Sequence, residues 1–482
     1  MLCLQMLCGQ VVTYDHTYGF ADYSYGKSIV QLPDSGYAFV ANVSADMGNA
    51  QLLFVRLNAH GEPLYYRQTN DAEKLYSVSK MRRADNGDFL VTGFTKRGDE
   101  EYSPFFLRTD TAFNVLWETV LPSGDWTFSR DVVELPDGSF VAVGTTYDTD
   151  STGQDGLVVK IASDGEILSV RKTCLKGNDA YNSVEFYQDS LLLVSGFQQD
   201  VEIGDTIPFF AFLNFDGMEN LRHPFGDRIA DAVANHSIRD SKGNIVTVGY
   251  TYRYDTLHKK DFYMIVFDSF GEYVTELYVD VALWMGQDDE YQNVAIGNDG
   301  RIFLAGTAAG NNYLRPVILV HLLDADYNFV ASTVRAGPHY EGNELSQIVP
   351  TLDGGAVLIG ATSDFERHLS AVFVCKLDEM LSEEGEVEHC LPVTDMQVPP
   401  FSVVVFPNPV SEMVTIRLDD GFSGTMRVVF YDLTMKAVWQ REVATMGAEE
   451  MQVSVRDLPA GTYLLKLQNG AGTIMKKIVV VH

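Results

Sequence analysis

The sequence contains few of the residues on which many enzyme classes depend. Its 482 residues include only 5 Cys, 4 Trp and 10 His, and no histidines are paired at a spacing typical of a zinc site. Serine-hydrolase, zinc-protease, sialidase and dinucleotide-binding motifs are absent. Gly26-Lys27-Ser28 has the residue order that ends a phosphate-binding loop, but Ala21 stands where the first glycine is required, and a strand is predicted to follow. The sequence therefore predicts no particular catalytic chemistry.

Long hydrophobic runs are also missing. No run approaches the roughly 18 apolar residues that a transmembrane helix needs, so we expect no transmembrane segment. Residues 1–10 are apolar but lack a basic region, and they are shorter than a complete signal peptide. We interpret them as a residual or truncated signal segment.

Positive charge is scarce in most of the chain. There are 35 Lys and Arg against 66 Asp and Glu, a formal net charge of −31. Residues 401–482 hold eight of each sign, which leaves 27 basic against 58 acidic residues in residues 1–400. Residues 1–400, which we call the body, are acidic enough to repel phosphate backbones and anionic lipid. The sequence therefore predicts no nucleic-acid partner.

The five cysteines are too few for a disulfide framework. Cys375 and Cys390 flank a predicted hairpin, and this placement allows a cross-strand disulfide between them. Cys174 is interpreted as a small buried apolar residue.

A sequence repeat of about 50 residues occurs before residue 390. Each copy contains an Asp/Gly turn, an apolar strand that ends on a small residue, a polar loop and further strands. The first strand of each copy ends at Ala41, Gly93, Gly144, Gly196, Gly249, Gly306 and Gly360. These positions are 52, 51, 52, 53, 57 and 54 residues apart.

Four strands are predicted in each copy, which is the content of a propeller blade. A single four-stranded sheet leaves both of its faces exposed to solvent, whereas blades packed around an axis bury them. Seven repeats lie within the usual range of four to eight blades. We therefore predict a seven-bladed β-propeller over residues 11–390. Residues 11–17 occupy the place of a fourth strand and are predicted to complete the blade of residues 340–378; residues 386–390 are the competing candidate.

The C-terminal residues have a different pattern. Seven short strands separated by turn residues are predicted between Val403 and Val481, which is typical of a small β-sandwich. The predicted fold class is thus all-β, a seven-bladed β-propeller followed by a small C-terminal β-sandwich. The predicted boundaries are 1–10, 11–390, a linker at 391–400, and 401–482.

Two resemblances accompany these patterns. The repeats resemble the Asp-Gly-Gly-aromatic repeats of bacterial extracellular propellers, a type with no single function. Residues 401–482 resemble the C-terminal sorting domain of cargo of the bacterial type IX secretion system. The residues that carry this second resemblance are Pro407, Asn408, Pro409, Gly461, Tyr463, Lys476 and Lys477.

The sorting-domain resemblance implies a destination and partners. It implies recognition by the outer-membrane translocon, removal of the domain by the system's sortase, and a mature protein that is secreted or anchored at the cell surface. An adhesive immunoglobulin-like module is the alternative interpretation of these residues.

Two segments interrupt the repeat and are candidate sites. Asp148, Asp150 and Asp155 surround a glycine in a hairpin loop and offer oxygen ligands for Ca²⁺, although the EF-hand spacing is absent. His258, Lys259 and Lys260 form the one basic cluster of the body, and Trp284 follows in the repeat whose spacing stretches to 57. We interpret these four residues as a candidate ligand surface.

Acidic and aromatic residues also recur together before five of the inner strands: Asp22 with Tyr25, Asp71 with Tyr76, Asp125 with Phe128, Asp179 with Tyr181, and Asp289 with Tyr291. Packing between blades is favoured for them over a glycan-stacking surface.

Three functions are compatible with the sequence. The first is a binding or scaffolding propeller for glycan or protein ligands. The second is a glycan-active or lactone-type enzyme with acids in the central funnel, and the third is a structural component of a surface layer. Carboxylates that perturb one another in the funnel would favour the enzyme, and aromatic platforms at its mouth would favour binding.

Overall fold

The computed structural model describes residues 12–382 and 403–481, with gaps at 46–49, 70, 72, 98–101, 123–125, 148–152, 174, 176, 189, 200, 203, 226–230, 253–259, 280–288, 309–315, 336–340, 365–368, 407–408, 419–422, 432–436, 447–449, 457 and 470–471. The chain forms two compact units, a large one that contains the repeats and a small C-terminal one. All regular structure in the described residues is β-strand.

The large unit consists of seven four-stranded antiparallel sheets, one for each repeat. The fold predicted from the repeat is therefore confirmed. Each sheet, or blade, has an inner strand, a second strand, a third strand and an outer strand, which follow one another along the chain in blades 1 to 6.

The strand bounds are grouped here by position in the blade, and each group is given in chain order. The inner strands are β2 (Tyr23–Gln31), β6 (Lys74–Arg83), β10 (Trp126–Glu134), β14 (Asp179–Gln188), β18 (Ala232–Arg239), β22 (Asp289–Ile296) and β26 (Glu341–Pro350). The second strands are β3 (Tyr37–Ser44), β7 (Phe89–Arg97), β11 (Phe140–Tyr147), β15 (Leu191–Gln199), β19 (Ile245–Thr251), β23 (Ile302–Ala308) and β27 (Ala356–Asp364). The third strands are β4 (Gln51–Leu57), β8 (Ser103–Thr109), β12 (Gln154–Ile161), β16 (Thr206–Asn214), β20 (Asp261–Phe267), β24 (Val317–Leu323) and β28 (Leu369–Leu377). The outer strands are β5 (Pro63–Gln68), β9 (Val115–Val120), β13 (Ile167–Lys172), β17 (Glu219–Pro224), β21 (Tyr273–Val279), β25 (Phe329–Arg335) and, for the seventh blade, β1 (Tyr14–Tyr18).

The blades form a closed ring. Each inner strand contacts the inner strand of the next blade, and β2 contacts both β6 and β26. Strand β1 pairs with β28, with Tyr14 opposite Lys376 and Tyr18 opposite Val372. The N-terminal strand therefore completes the last blade, as predicted; the competing segment 386–390 lies outside the described residues.

The hydrophobic core lies between adjacent blades. One cluster joins Val141 and Val143 of blade 3 to Leu192 and Val194 of blade 4, and all four are fully buried. Equivalent clusters join blades 2 and 3, 4 and 5, 5 and 6, and 6 and 7. Each fully buried Val or Leu contributes roughly 1.5–3 kcal/mol, which explains why the middle strands are apolar on both faces.

Every inner strand contains a β-bulge at the same place. One extra residue of the inner strand lies beside the small residue that recurs in each repeat. The second strand continues two to four residues beyond this small residue, where the sequence had predicted its end. A Cβ at Gly144 would overlap the carbonyl oxygen of Phe128, and Gly93 and Gly196 meet the same obstacle. In blade 1 the opposing pair is Gly26 and Ala41, so the glycine lies on the inner strand instead. We name the seven extra residues the bulge residues: Lys27, Ser79, Arg130, Asn182, Asn235, Gln292 and Ser346.

The small unit contains two sheets that enclose a separate core. The first consists of β29 (Val403–Phe406), β30 (Met413–Leu418) and β33 (Glu450–Ser454). The second consists of β32 (Ala437–Met446), β31 (Ser423–Tyr431), β34 (Gly461–Asn469) and β35 (Gly472–Val480). The core between them includes Val414, Ile416, Phe430 and Leu465, all fully buried. The predicted β-sandwich is confirmed.

Candidate functional site

The two faces of the ring differ in how the strands are connected. At one face, which we call the turn face, the chain passes from the inner to the second strand of each blade and, in blades 1 to 6, from the third to the outer strand. At Asp137 the carboxylate accepts the backbone N–H of Ser139, and Gly138 has φ 78°. The opposite face, which we call the loop face, carries the connections between second and third strands and between successive blades, which are four to nine residues long against two to five at the turn face. Longer and more variable loops are where binding residues concentrate in rigid scaffolds.

An aromatic patch lies on the loop face at blades 2 and 3. It consists of Phe94, Tyr102, Trp126, Phe128 and Tyr147. Phe128 lies 4.9 Å from Phe94, 5.7 Å from Tyr102 and 6.0 Å from Tyr147, measured between ring centroids. Trp126 lies 5.6 Å from Tyr102 with the rings at 89°, so the two rings form a corner.

The outer members of the aromatic patch are open to solvent. Trp126 and Tyr147 are cross-strand partners at the edge of blade 3, and their exposed fractions are 51% and 42%. The ammonium group of Lys96 lies 5.1 Å from the centroid of Tyr102. Aromatic rings that remain exposed while packed against one another are a feature of binding surfaces.

The acidic and aromatic residues predicted to pack between blades divide into two groups. Tyr76 and Tyr181 are buried and lie edge-on against Phe105 and Phe209 of their own blades, and Tyr181 also belongs to the core cluster between blades 3 and 4. Phe128, at the same place in blade 3, belongs instead to the aromatic patch.

A cluster of charges connects three blades around the axis. Arg82 of β6 donates two hydrogen bonds to Asp131 of β10, at 3.1 and 2.7 Å. It donates two more to Glu185 of β14, at 3.1 and 2.8 Å. Nε2 of His236, on β18, lies 3.2 Å from the same Glu185 carboxylate.

Neutral hydrogen bonds continue this cluster around the remaining blades. We call the charged cluster and these hydrogen bonds together the belt. Nδ1 of His236 accepts the backbone N–H of Val294, which reaches blade 6. Asn293 donates to the carbonyl oxygen of Ser346 in blade 7. Gln347 accepts the backbone N–H of Ile29 at 2.9 Å, and the single hydroxyl proton of Ser28 is shared between Gln347, at 2.7 Å, and the carbonyl oxygen of Met81, at 3.1 Å. Every pair of adjacent inner strands is thus joined by a polar contact near the axis.

The charged belt stabilises the ionised carboxylate of Glu185. Burial alone would raise the pKa of Glu185, but the positive charge of Arg82 and the hydrogen bonds from Arg82 and His236 hold that pKa well below its usual value. Burial likewise lowers the pKa of Arg82, and the two carboxylates more than reverse this effect. Glu185 is therefore held as a charged partner of Arg82 and not as a protonated acid of the kind that general acid catalysis uses.

The predicted Ca²⁺ residues fall partly outside the described part of the chain. Asp148 and Asp150 are outside it. Asp155 lies in β12, and its negative charge adds to the burial that raises the pKa of Asp179. No group of three potential metal ligands occurs within the described residues.

The predicted ligand surface is also only partly described, because His258, Lys259 and Trp284 lie outside the described residues. The ammonium group of Lys260 lies 4.0 Å from the centroid of Tyr250. Lys260 therefore makes a cation–π contact within blade 5. Of the predicted disulfide, Cys375 is buried in β28 and Cys390 lies outside the described residues.

The sorting residues occupy structural positions in the small unit. The hydroxyl of Tyr463 donates to the carbonyl oxygen of Pro459 at 2.7 Å, and Gly461 begins β34. Lys476 and Lys477 lie in β35, opposite Leu465 and Leu464. Pro409 precedes Val410, which pairs with the end of β35; Pro407 and Asn408 are outside the described residues.

Sequence reasoning did not find the aromatic patch or the belt. The belt residues Asp131, His236, Asn293 and Gln347 directly follow bulge residues in their blades. An alignment of the repeats on their Asp/Gly turns would have placed these four residues at the same position of the repeat. The patch gives no such signal, because its members come from three different places in the repeat.

Comparison with known proteins identifies the small unit. Residues 404–481 match the family model described as the secretion system C-terminal sorting domain. No curated protein sequence matches the chain. Among the described residues there is no helix of the length and apolarity needed to cross a membrane.

Solved structures are similar only at the level of the fold. An acylaminoacyl peptidase of Pyrococcus horikoshii is 11% identical, with a TM-score of 0.43 over 83% of this chain and 58% of its own. This chain therefore spans less than two thirds of the peptidase. The β-propeller domain of the Trilobed protease from Pyrococcus furiosus is 10% identical, with a TM-score of 0.44 over 77% of this chain and 100% of its own. A protein of unknown function from Dyadobacter fermentans is 10% identical, with a TM-score of 0.42 over 75% and 98% of the two chains.

These similarities carry no information about activity. The sorting domain, in contrast, is specific about export, since it is the part of a cargo protein that the secretion machinery recognises. The chain is a secreted or cell-surface β-propeller protein that carries the C-terminal sorting domain of the type IX secretion system.

Proposed function

We propose that the propeller is a binding module that recognises carbohydrate outside the cell through the aromatic patch. The observation that carries the proposal is the exposure of Trp126 and Tyr147 beside three further rings on the loop face. The face of an aromatic ring carries partial negative charge, and the C–H groups on the flat side of a sugar ring pack well against it. The corner formed by Trp126 and Tyr102 offers two such surfaces at right angles.

The described residues support binding more than catalysis. Asp131 and Glu185 are the carboxylates of the belt, and Arg82 pairs with both. An acid or base for glycoside or lactone chemistry needs a pKa nearer the working pH, which the lowered pKa of Glu185 does not provide. The enzyme hypothesis therefore has less support than the binding hypothesis, and we rank it second.

Export adds a further proposal about partners. We propose that the translocon recognises residues 404–481 and that the associated sortase then removes this domain and leaves the propeller at the cell surface. The separate cores of the two units support this proposal, because removal of the small unit leaves the core of the propeller intact.

Binding of the full-length chain to an oligosaccharide array, followed by calorimetry with the best ligand, tests the carbohydrate proposal. Trp126→Ala and Tyr147→Ala are each expected to weaken binding about tenfold or more, the loss typical of a central aromatic contact. Phe270→Ala is the matched control, because Phe270 is 83% exposed and lies in a hairpin turn of the turn face.

The control variant should bind as the unmodified chain does. Absence of saccharide binding across the array would overturn the proposal and favour the structural role in a surface layer. Binding that survives both patch variants would also overturn it, because the ligand would then contact another surface.

A further inference from the structure

A lysine borders the aromatic patch. Lys96 lies near the end of β7, two residues after Phe94, and because alternate residues of a strand point to the same side, it projects to the same side of β7 as that member of the patch. Its ammonium group lies 5.1 Å from the centroid of Tyr102, which in turn lies 5.6 Å from Trp126. The cation is therefore one aromatic ring away from Trp126, the most exposed member of the patch.

Lys96 has no anionic partner in the described part of the chain. Its side chain is partly exposed, and among the described residues its ammonium group forms neither an ion pair nor a hydrogen bond. The next residue, Arg97, projects to the other side of β7, where it lies 3.4 Å from a carboxylate oxygen of Asp71 and 3.8 Å from one of Glu73. Of these two adjacent cations, the one beside the patch is the one that lacks a carboxylate.

The same blade contains a similar lysine that does have a carboxylate. The ammonium group of Lys74 lies 5.4 Å from the centroid of Tyr76, and the carboxylate of Glu118 accepts hydrogen bonds from both side chains, each at 2.9 Å. An ammonium group has three donors, so its contact with a ring leaves donors for an anion. Lys96 and Tyr102 repeat the lysine and the tyrosine of this arrangement, and an anionic group of a ligand would supply the third member.

The charge of the whole body limits the kind of anion. Acidic residues outnumber basic ones 58 to 27 in residues 1–400, so a densely charged polyanion is repelled at long range. One anionic group in direct contact with Lys96 still gains a charge-assisted hydrogen bond. A mostly neutral ligand with a single acidic substituent therefore fits this surface better than a polyanion does.

We propose that the aromatic patch selects a saccharide with one anionic substituent, a carboxylate or a sulfate ester, and that Lys96 is the residue that selects it. This inference rests on the carbohydrate function proposed above and names the class of sugar. The apolar side of the sugar packs against Trp126, and the anionic group at the edge of the sugar accepts hydrogen bonds from the ammonium group of Lys96. A lysine acts as a point charge, so its chemistry suits both substituents.

Ligand-observed NMR titration of the full-length chain with matched methyl glycosides tests the selection. Glycosides of gluco, galacto and manno configuration are each used in three forms: the neutral sugar, its uronic acid, and the sulfate ester of its primary hydroxyl group. In at least one configuration, an anionic form should bind about tenfold or more tightly than the neutral sugar, the gain typical of a hydrogen bond to a charged group. The tighter of the two anionic forms identifies the substituent.

Variants of the two adjacent cations assign the preference to a residue. Lys96→Met should abolish the preference for the anionic form and leave binding of the neutral sugar unchanged. Lys96→Arg should retain the preference, because the positive charge remains. Arg97→Met is the matched control, since it removes a cation from the next position of β7, and it should also retain the preference.

The outcomes separate this inference from the carbohydrate proposal. Equal binding of neutral and anionic forms, both weakened by Trp126→Ala, would overturn the selection by Lys96 and leave the carbohydrate proposal standing. A preference that survives Lys96→Met would also overturn it, because another cation would then hold the anionic group. Absence of binding of every glycoside would overturn this inference, and the oligosaccharide array decides separately whether the carbohydrate proposal fails with it.

Discussion

Arg82 contacts carboxylates from the next two blades of the ring, so a single side chain holds three inner strands together. Asp131 is almost completely buried, and Glu185 is partly buried. A buried carboxylate whose cation is removed retains its desolvation cost without the compensating attraction. The contribution of Arg82 is therefore best measured as the cost of its loss.

Replacement of Arg82 by Met is expected to lower the free energy of unfolding by about 3 kcal/mol at pH 7. Because the pKa of Glu185 is lowered in the folded protein, its stabilising contribution is present above the unfolded-state pKa of about 4.3 and is lost as the pH falls below it. The variant lacks this contribution, so its difference from the unmodified chain should shrink as the pH falls below about 4.3.

Urea unfolding at several pH values measures this difference. Arg83→Met is the control, because Arg83 is the next residue of β6 and is exposed, and we expect a change within about 0.5 kcal/mol. Equal stability of the two variants at pH 7 would show that the ion pairs with Asp131 and Glu185 contribute nothing to the ring.

At the scale of the element, the β-bulge of each inner strand explains why glycine recurs at one position of the repeat. In blades 2, 3, 4, 5 and 7, the repeated glycine of the second strand faces a carbonyl oxygen of the inner strand beside it. A bulge brings the two backbones together at this point, and a Cβ on the glycine would overlap the opposing carbonyl oxygen. This position thus depends on backbone geometry and not on a ligand.

Gly144→Ala is expected to lower the free energy of unfolding by about 2–3 kcal/mol, because the new methyl group forces β10 and β11 apart. Gly19→Ala is the matched control, since no atom lies within 4 Å of a Cβ at that position. Thermal or urea unfolding compares the two. Equal stability of both variants would contradict the steric explanation of the repeated glycine.

The elements could be predicted from the sequence because each blade repeats the same local signals. The turn at Asp137 and Gly138 and the strand from Phe140 recur with a nearly constant spacing, so seven weak signals combine into a strong one. The candidate sites could not be predicted in this way. Trp126, Tyr102 and Tyr147 come together only when two blades are adjacent, and their side chains resemble core residues in the sequence.

At the scale of the whole molecule, the chain combines an acidic propeller with a neutral sorting domain that has its own core. Deletion of residues 401–482 is expected to retain the protein in the periplasm of a host that has the type IX secretion system. Cell fractionation and surface labelling measure the result, and the oligosaccharide binding of the retained protein is the control for folding. Unimpaired surface display of the deletion variant would contradict the role of this domain in export.

The ring closes because its first strand pairs with its last blade, and this seam is the part of the fold that depends on residues farthest apart in the sequence. Asp15 lies directly opposite Cys375 across the seam. Directly paired residues of antiparallel strands have the Cα separation that a disulfide requires. A cysteine at position 15 is therefore placed to bond with Cys375.

The most direct test of the closed ring is the disulfide formed by Asp15→Cys in a Cys390→Ser background, measured by peptide mass spectrometry after mild oxidation. Peptides that contain positions 15 and 375 should appear as one cross-linked species, which is lost on reduction, and the oxidised chain should unfold at a higher temperature than the reduced chain. If position 15 remains a free thiol or bonds to another cysteine in the folded protein, the N-terminal strand does not complete the seventh blade and the closed propeller is wrong.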